Sequence, residues 1–323
     1  MNKFLFIFPG QGAQYKGIGN DIYNEYTIVR ETYQEADDAL DFSISNISFN
    51  DPKDQLNQTH YTQPALLTHS IACLRLFSEQ IGHDCRPSIT AGHSLGEYSS
   101  LVTANSMDFT TAINLVEKRG ELMGLFGKGE MEALPIDRHK ASDLALQHYC
   151  GVAACNLPEQ TVVGGLADDL DMLVTKLQLD LPKKKTTRLK TEGAFHTYFM
   201  IEAANHFRPI LESAEISPPT IDVISNLTGN AHSRDPEKIR AQLFLQLFNP
   251  VLWYESLDQA KQSNITNIIE FGGGIGGGDS AINKKPNLAS IVKRYTRNFD
   301  NPPRYHSVIN LRTLYATIEE LAH

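Results

Sequence analysis

The sequence predicts an α/β fold in which a large domain, built on a parallel sheet with a nucleophile elbow, carries a small inserted subdomain. Three observations predict it: a Gly-x-Ser-x-Gly motif between a strand-like and a helix-like run, other buried strand-like runs that end in glycine loops, and a β-α-β-β-α-β order of elements in mid-chain. With 323 residues, 41% of them hydrophobic, the chain is long enough to bury a large core.

The motif is Gly92-His93-Ser94-Leu95-Gly96, and it follows strand-like residues 87–90. A serine on a sharp turn from strand to helix needs neighbours without side chains two positions before and after it, and Gly92 and Gly96 fit. Helical spacing of apolar residues begins at Leu95, so its amide should point at an oxyanion from a helix N-terminus. Ser94 is therefore a candidate nucleophile, although the pattern alone fits a glycine-rich turn with a buried serine equally well.

Two earlier segments fit around this elbow. Residues 3–8 form a buried strand-like run that leads into the loop 9–14, where a second amide donor for an oxyanion could sit. Residues 66–74 are apolar on nearly all sides and predict a helix packed beneath the elbow, with Gln63 and Pro64 at its start.

A predicted helix over residues 109–125 places Arg119 within an apolar stripe that faces the core. A buried guanidinium needs an anionic partner, and its planar fork suits a carboxylate held by two hydrogen bonds. On the residues alone, a structural ion pair with a carboxylate of the protein is the commoner explanation, and a bound carboxylate ligand is the alternative.

The periodicity changes over residues 130–190, where strands are predicted at 130–135, 151–156, 160–164 and 184–190 and helices at 138–149 and 168–179. This order is that of a ferredoxin-like unit. We therefore expect a large hydrolase-like domain of residues 1–127 and 192–323, and a small subdomain of residues 128–191.

His196 lies at a predicted helix start where the chain returns to the large domain, and the order of serine before histidine is that of hydrolase-like sheets. No aspartate or glutamate between the two is placed to orient the imidazole, so a backbone carbonyl or Gln246 is expected to hold it. Gln246 shares a helix face with Ile239 and Leu243 and therefore needs a buried partner of its own.

A run of glycines interrupted only by Ile275 follows the last predicted strand, 268–271. It contains Gly-x-Gly-x-x-Gly, but no continuous helix is predicted before Pro286 and too little chain remains for a second βα unit, which argues against a dinucleotide site. A flexible surface loop is expected instead, and the tail around Pro302 and Pro303 should form a surface strap.

Charge and composition restrict the function. The net charge is −9, with an excess of acids before residue 180 and a small excess of bases after it, so a nucleic-acid partner is not expected. The basic stretch 183–190 fits a lysine-guarded strand edge at least as well as a docking site. No apolar run is long enough for a membrane span or a signal peptide, and we expect a cytoplasmic protein that does not bind membranes. The four cysteines lack zinc or disulfide patterns and are expected to be free thiols.

Together these motifs resemble the malonyl-CoA:acyl carrier protein transacylases, including the free-standing acyltransferases that serve modular polyketide synthases. The matching segments run in order from residue 4 to about residue 256: 9–14, 62–65, 92–98, 118–123, 194–196, 223–226 and 246–253. Because so many separate segments match in order, the resemblance is specific.

The resemblance implies a two-step transfer. Ser94 would attack the thioester of malonyl-CoA with His196 as base, and the amides of Gln11 and Leu95 would bind the oxyanion. The phosphopantetheine thiol of an acyl carrier protein would then take the malonyl group. No cofactor and no metal is implied, since the phosphopantetheine belongs to the partner.

Further roles follow from the same resemblance. Arg119 would pair with the free malonyl carboxylate, Gln246 would orient His196, and Phe195 would crowd an α-methyl group, at about 1–3 kcal/mol of discrimination. The remaining residues implied in substrate binding are Gln63, His93 and Asn156.

Two other functions are compatible with these motifs. The first is a hydrolase of the same fold that releases acyl groups from carrier proteins, but a simple acyl chain would leave Arg119 unpaired. The second is a noncatalytic docking subunit, which the complete set of Ser94, His196, Arg119 and Gln11 argues against. Polyketide synthesis is favoured over fatty acid synthesis on overall resemblance, which adds polyketide synthase modules to the expected partners.

Overall fold

The computed structural model describes residues 2–82, 85–278 and 280–322, which contain two five-stranded sheets. In chain order the strands are β1 Phe4–Phe8, β2 Pro87–Gly92, β3 Glu130–Leu134, β4 Gly151–Leu157, β5 Gln160–Gly165, β6 Thr187–Leu189, β7 Asp222–Ile224, β8 Val251–Leu252, β9 Asn267–Phe271 and β10 Arg304–Val308.

Helices cover both sheets. In chain order they are α1 Asn20–Glu25, α2 Thr27–Ala39, α3 Ile44–Asn50, α4 Thr59–Ile81, α5 Gly96–Thr103, α6 Phe109–Phe126, α7 Arg138–Gln147, α8 Ala167–Asp180, α9 Ile201–Ser213, α10 Pro236–Gln246, α11 Trp253–Gln262, α12 Ala289–Thr296 and α13 Leu311–Leu321. Short 3₁₀ turns lie at Tyr198–Met200 and Ala281–Asn283. None of the helices in the described ranges has the length and apolarity that crossing a membrane requires.

The first sheet is parallel, in the order β10-β9-β1-β2-β7. Every side chain of β1, Phe-Leu-Phe-Ile-Phe, is buried, as expected for a central strand covered on both faces. The carboxyl ends of β1 and β2 lie side by side, with Phe8 paired to Gly92. This edge of the sheet therefore carries both the loop 9–14 and the elbow, which confirms the predicted α/β class.

The second sheet has the order β6-β3-β5-β4-β8, and its first four strands are antiparallel in the arrangement of a ferredoxin-like unit. Its fifth strand, β8, pairs in parallel with β4 and comes from the later part of the chain. The division into residues 128–191 and the remainder stays a prediction. The last strand of the unit, β6, is shorter than predicted and lies at the sheet edge, where Glu130, Glu132 and Asp171 all bind Arg188.

Helix α4 begins at Thr59, so the predicted start at Gln63 and Pro64 is wrong. Pro64 lies inside the helix, where it removes one backbone hydrogen bond. The extra turn is stabilised from another part of the chain, because the Thr59 amide donates to the Glu192 carboxylate. At this turn α4 crosses α6 closely: a Cβ atom on Gly120 would lie 2.5 Å from the Thr59 carbonyl oxygen. The crossing places Arg119 next to Gln63.

Only the second half of the glycine run lies at the surface. Gly272, Gly273 and Gly274 are buried, and the Gly273 amide donates to Nδ1 of His69 at 3.0 Å, whereas Gly276 and its neighbours are exposed. A Cβ on Gly272 would come within 2.4 Å of the Ser70 side chain, so these glycines permit close packing on α4. The expectation of a surface loop was therefore wrong for the first half of the run.

The tail is also more regular than predicted, because β10 and α13 follow α12. The expected surface strap and the argument that no βα unit could follow were both wrong. Strand β10 gives a weak sequence signal because it is a half-exposed edge strand with few apolar residues. Helix α13 begins with a capping box between Asn310 and Thr313, which is a recognisable helix start. No disulfide joins the four cysteines, all of which lie in the described ranges; three are buried and Cys85 is half-buried.

Candidate active site

The elbow has the geometry that the motif predicts. Ser94 adopts a left-handed backbone conformation with φ of 53°, directly between β2 and α5. A Cβ on Gly92 would lie 1.9 Å from backbone atoms of Gly96, and a Cβ on Gly96 would lie 2.3 Å from the Phe8 carbonyl oxygen. Only glycine fits at either position, which explains the Gly-x-Ser-x-Gly spacing.

Ser94 and His196 are in hydrogen-bond contact, with Oγ to Nε2 at 2.7 Å. The other ring nitrogen, Nδ1, lies 2.7 Å from the backbone carbonyl oxygen of Gln246. This carbonyl is available because it belongs to the last turn of α10, where carbonyls have no partner within the helix. Nδ1 therefore carries the proton and Nε2 is free to accept one from the serine. No acidic residue contacts the ring among the described residues.

The His196 side chain is buried, and burial together with the nearby Arg119 lowers the pKa of the imidazole to about 3. His196 itself has a left-handed φ of 61°, a second strained residue at this site. The imidazole is thus neutral at physiological pH, as a general base must be.

This lowered pKa predicts an unusual pH profile. A base is active when it is unprotonated, so we expect kcat/KM for malonyl loading, which reports the free enzyme, to stay level from pH 8 down to about pH 5. The profile should be measured by rapid mixing from a stock held at pH 7, so that acid unfolding does not contribute. A half-maximal rate near pH 6.5, the value of an ordinary histidine, would contradict this assignment.

Arg119 is almost wholly buried, with an exposed fraction of 1%, and is surrounded by neutral oxygens. Nη1 donates to Oε1 of Gln63 at 2.8 Å, and Nη2 donates to Oε1 of Gln246 at 3.0 Å and to Ser94 Oγ at 3.2 Å. Its Nε–H has no partner in the described part of the chain. The structural ion pair that the sequence alone favoured is therefore not found among the described residues, and the guanidinium lies beside the serine with donor capacity left for an anion.

The amides of Gln11 and Leu95 make no hydrogen bond within the described residues. Leu95 immediately precedes α5, and Gln11 follows β1 on the adjacent strand end. The Gln11 side chain is held by Thr59 Oγ1 at 3.0 Å. Both free amides thus come from the sheet edge that carries the elbow, as a two-donor oxyanion site requires.

Two further predicted residues meet above the elbow. His93 Nε2 lies 2.9 Å from Oδ1 of Asn156, which belongs to β4 of the second sheet, and burial lowers the pKa of His93. Phe195 is buried directly before His196. The side chain of Gln246, in contrast, does not contact His196; its amide binds the Ser94 carbonyl oxygen and Glu97, so only the backbone of Gln246 holds the imidazole.

Sequence reasoning assigned no role to three residues that surround the elbow. The amide group of Asn226 accepts from the Ser94 N–H at 2.6 Å and donates to the Gly92 carbonyl at 2.7 Å, which fixes the turn from outside. Glu97 is fully buried and bonded to His232 at 2.6 Å. The available signal was an acidic residue within the apolar start of α5, since a buried carboxylate requires partners.

One group of side chains in the described ranges has metal-ligand geometry: His60, Glu117 and Glu121. Both carboxylates already bind the ammonium group of Lys118, at 3.3 and 2.9 Å. The Lys118 ammonium group therefore already pairs with both carboxylates, and the group does not suggest a metal centre.

Known proteins with similar sequences are acyltransferases. The profile of the family described as "Acyl transferase domain" matches residues 5–270. The chain is 34% identical over 283 residues to the malonyl CoA-acyl carrier protein transacylase of Bacillus subtilis, covering 85% of this chain and 88% of that protein. It is 32% identical over 274 residues to the polyketide biosynthesis malonyl CoA-acyl carrier protein transacylase PksC of the same organism, covering 83% and 92%.

Solved structures give the same result. The malonyl CoA-acyl carrier protein transacylase of Coxiella burnetii superposes with a TM-score of 0.88 at 29% identity, covering 100% of this chain and 98% of that one. A malonyl-transacylase solved in complex with a type II polyketide synthase acyl carrier protein superposes with a TM-score of 0.86 at 30% identity, covering 99% and 100%.

Proposed function

The chain belongs to the acyl transferase domain family and moves a malonyl group from coenzyme A to an acyl carrier protein, and we propose that Ser94 carries that group between them. The observation on which this rests is the 2.7 Å contact between Ser94 Oγ and an imidazole that its surroundings keep neutral.

In the first step, His196 Nε2 takes the hydroxyl proton while Ser94 Oγ attacks the thioester carbonyl of malonyl-CoA. The negative charge that develops on the carbonyl oxygen is stabilised by the free amides of Gln11 and Leu95. The C–S bond then breaks, the imidazolium returns its proton to the departing thiolate, and coenzyme A leaves a malonyl ester on Ser94.

The second step repeats the first in reverse with a new thiol. His196 removes the proton from the phosphopantetheine thiol of the carrier protein, the sulfur attacks the ester, and Ser94 Oγ recovers its proton. Because the imidazole is held at Nδ1 by the Gln246 carbonyl, it stays in one tautomer and orientation through both steps.

Arg119 is proposed to bind the free carboxylate of the malonyl group. A carboxylate is a stronger acceptor than the amide oxygens that contact the guanidinium, because it is itself charged and can accept two parallel hydrogen bonds from the planar fork. Gln63 positions Arg119, and His93 and Asn156 are proposed to contact the substrate. Phe195 would disfavour substrates with an α-methyl group.

A thioester hydrolase of the same fold is the competing function, and the fate of the acyl group distinguishes the two. With malonyl-CoA and a holo acyl carrier protein, we expect malonyl-carrier protein to form much faster than free malonate. The matched control omits the carrier protein, and the malonyl ester should then persist. Faster loading by acetyl-CoA with rapid release to water would favour the hydrolase.

Both polyketide and fatty acid synthesis fit this function, because relatives named for polyketide biosynthesis and relatives without that label match at similar identity. We propose that the reaction needs no cofactor, because serine, imidazole, guanidinium and amide groups supply each step above. The cytoplasmic location stays a prediction from the sequence.

A further inference from the structure

Glu97 is a fully buried carboxylate three residues after the nucleophile, and the two-step transfer described above gives it no role. Its Oε1 lies 2.6 Å from His232 Nε2, while Oε2 accepts from Gln246 Nε2 at 2.8 Å and from the Asn226 amide at 3.1 Å. An ionised group in such a place is costly unless it balances another charge.

The Gln246 side chain links this carboxylate to Arg119. Its Nε2 donates to Glu97 and its Oε1 accepts from Arg119 Nη2 at 3.0 Å, so one amide group spans the two charges. A carboxylate can only accept and a guanidinium can only donate, so the two charges together determine which way the amide faces. The amide oxygen that binds Arg119 is thus oriented by Glu97.

The charges near Arg119 also support a link between Arg119 and Glu97. Among the described residues no carboxylate contacts Arg119, and Glu97 is separated from it by a single amide. Burial lowers the pKa of the Arg119 guanidinium, while Tyr98 and Glu97 act in the opposite direction. Nδ1 of His232 is buried without a partner in the described chain, so the tautomer with its proton on Nε2 satisfies Glu97 and leaves the carboxylate charge in place.

We propose that Glu97 is a positioning residue: it is the internal counter-charge that, through Gln246, holds Arg119 ready until the malonyl carboxylate provides a second anion. The inference rests on the proposed role of Arg119 as the carboxylate ligand. It differs from a purely structural role, in which Glu97 would only attach α5 to the segment that carries His232.

Glu97→Gln separates the two roles because it removes the charge and keeps the shape. The new amide oxygen can accept from Gln246 and Asn226, and the new NH₂ can donate to Nε2 of the other His232 tautomer, so each hydrogen bond has a replacement. The matched control is His232→Gln, which disturbs the same cluster but keeps the Glu97 charge.

Thermal unfolding of each protein should be measured in three states: free, malonyl-loaded and acetyl-loaded, with loading verified by mass. We expect Glu97→Gln to lower Tm of the free enzyme by about 5 °C. Malonyl loading should restore at least half of that loss and acetyl loading none, because only malonyl supplies a carboxylate to Arg119. His232→Gln should lose stability equally in all three states. An equal loss for Glu97→Gln in all three states would overturn the proposal.

A second measurement applies even where Glu97→Gln alone does not fold. If Glu97 balances Arg119, adding Glu97→Gln to Arg119→Met should lower Tm far less than it does in the native background. The same loss in both backgrounds, or a double variant that does not fold although Arg119→Met does, would show that Glu97 is structural. Failure of the Arg119 role itself would look different, since malonyl and acetyl loading would then stabilise the native enzyme equally.

Discussion

Replacement of His196 by alanine is expected to slow malonyl loading of Ser94 by about 10³- to 10⁴-fold, because the serine loses the imidazole that takes its proton. Single-turnover quenched-flow with labelled malonyl-CoA measures this directly. Binding of malonyl-CoA should change little, since the carboxylate and oxyanion contacts remain.

His139→Ala is the matched control, because His139 is an exposed histidine on the surface helix α7. It should load at the native rate. Loading of His196→Ala within tenfold of the native rate would show that another group, or water, deprotonates Ser94.

Arg119→Ala is expected to reduce kcat/KM for malonyl-CoA by about 10²- to 10³-fold, the usual effect of removing one partner of a buried charge-assisted contact. Loading from acetyl-CoA should stay similar or improve, because acetyl makes no carboxylate contact that the substitution could remove. The ratio of malonyl to acetyl loading rates is therefore the informative measurement.

Lys118→Ala serves as the control, since Lys118 is the preceding residue on α6 and its ammonium group binds the carboxylates of Glu117 and Glu121. It should leave the ratio unchanged. If Arg119→Ala reduced malonyl and acetyl loading equally, the arginine would be a structural support of the serine and not the group that selects substrate.

Much of this site can be predicted from the sequence because its chemistry depends on residue types that the local backbone geometry requires. The elbow needs glycine at positions 92 and 96, where any Cβ would overlap backbone atoms, and so it leaves a pattern. Arg119 was conspicuous because it interrupts an apolar stripe. His196 was identified by chain order and by its place at a helix start.

Contacts made by the backbone left no such pattern. The group that orients His196 is the carbonyl of Gln246, which any residue at the end of α10 would offer, while the Gln246 side chain faces Arg119 and Glu97. The early start of α4 depends on Glu192, 133 residues away. The buried half of the glycine run depends on packing against α4. Each of these features can be recognised only from the tertiary structure.

Malonyl-CoA is expected to acylate Ser94 in preference to simple acyl thioesters. The most direct test is to incubate the protein with an equimolar mixture of malonyl-CoA and acetyl-CoA, quench with acid, digest, and determine by mass spectrometry which peptide carries which group. We expect the malonyl mass on the peptide that contains Ser94, and none after Ser94→Ala. An acetyl adduct in excess, a malonyl adduct elsewhere, or no adduct at all would contradict the role of Ser94 as the malonyl carrier.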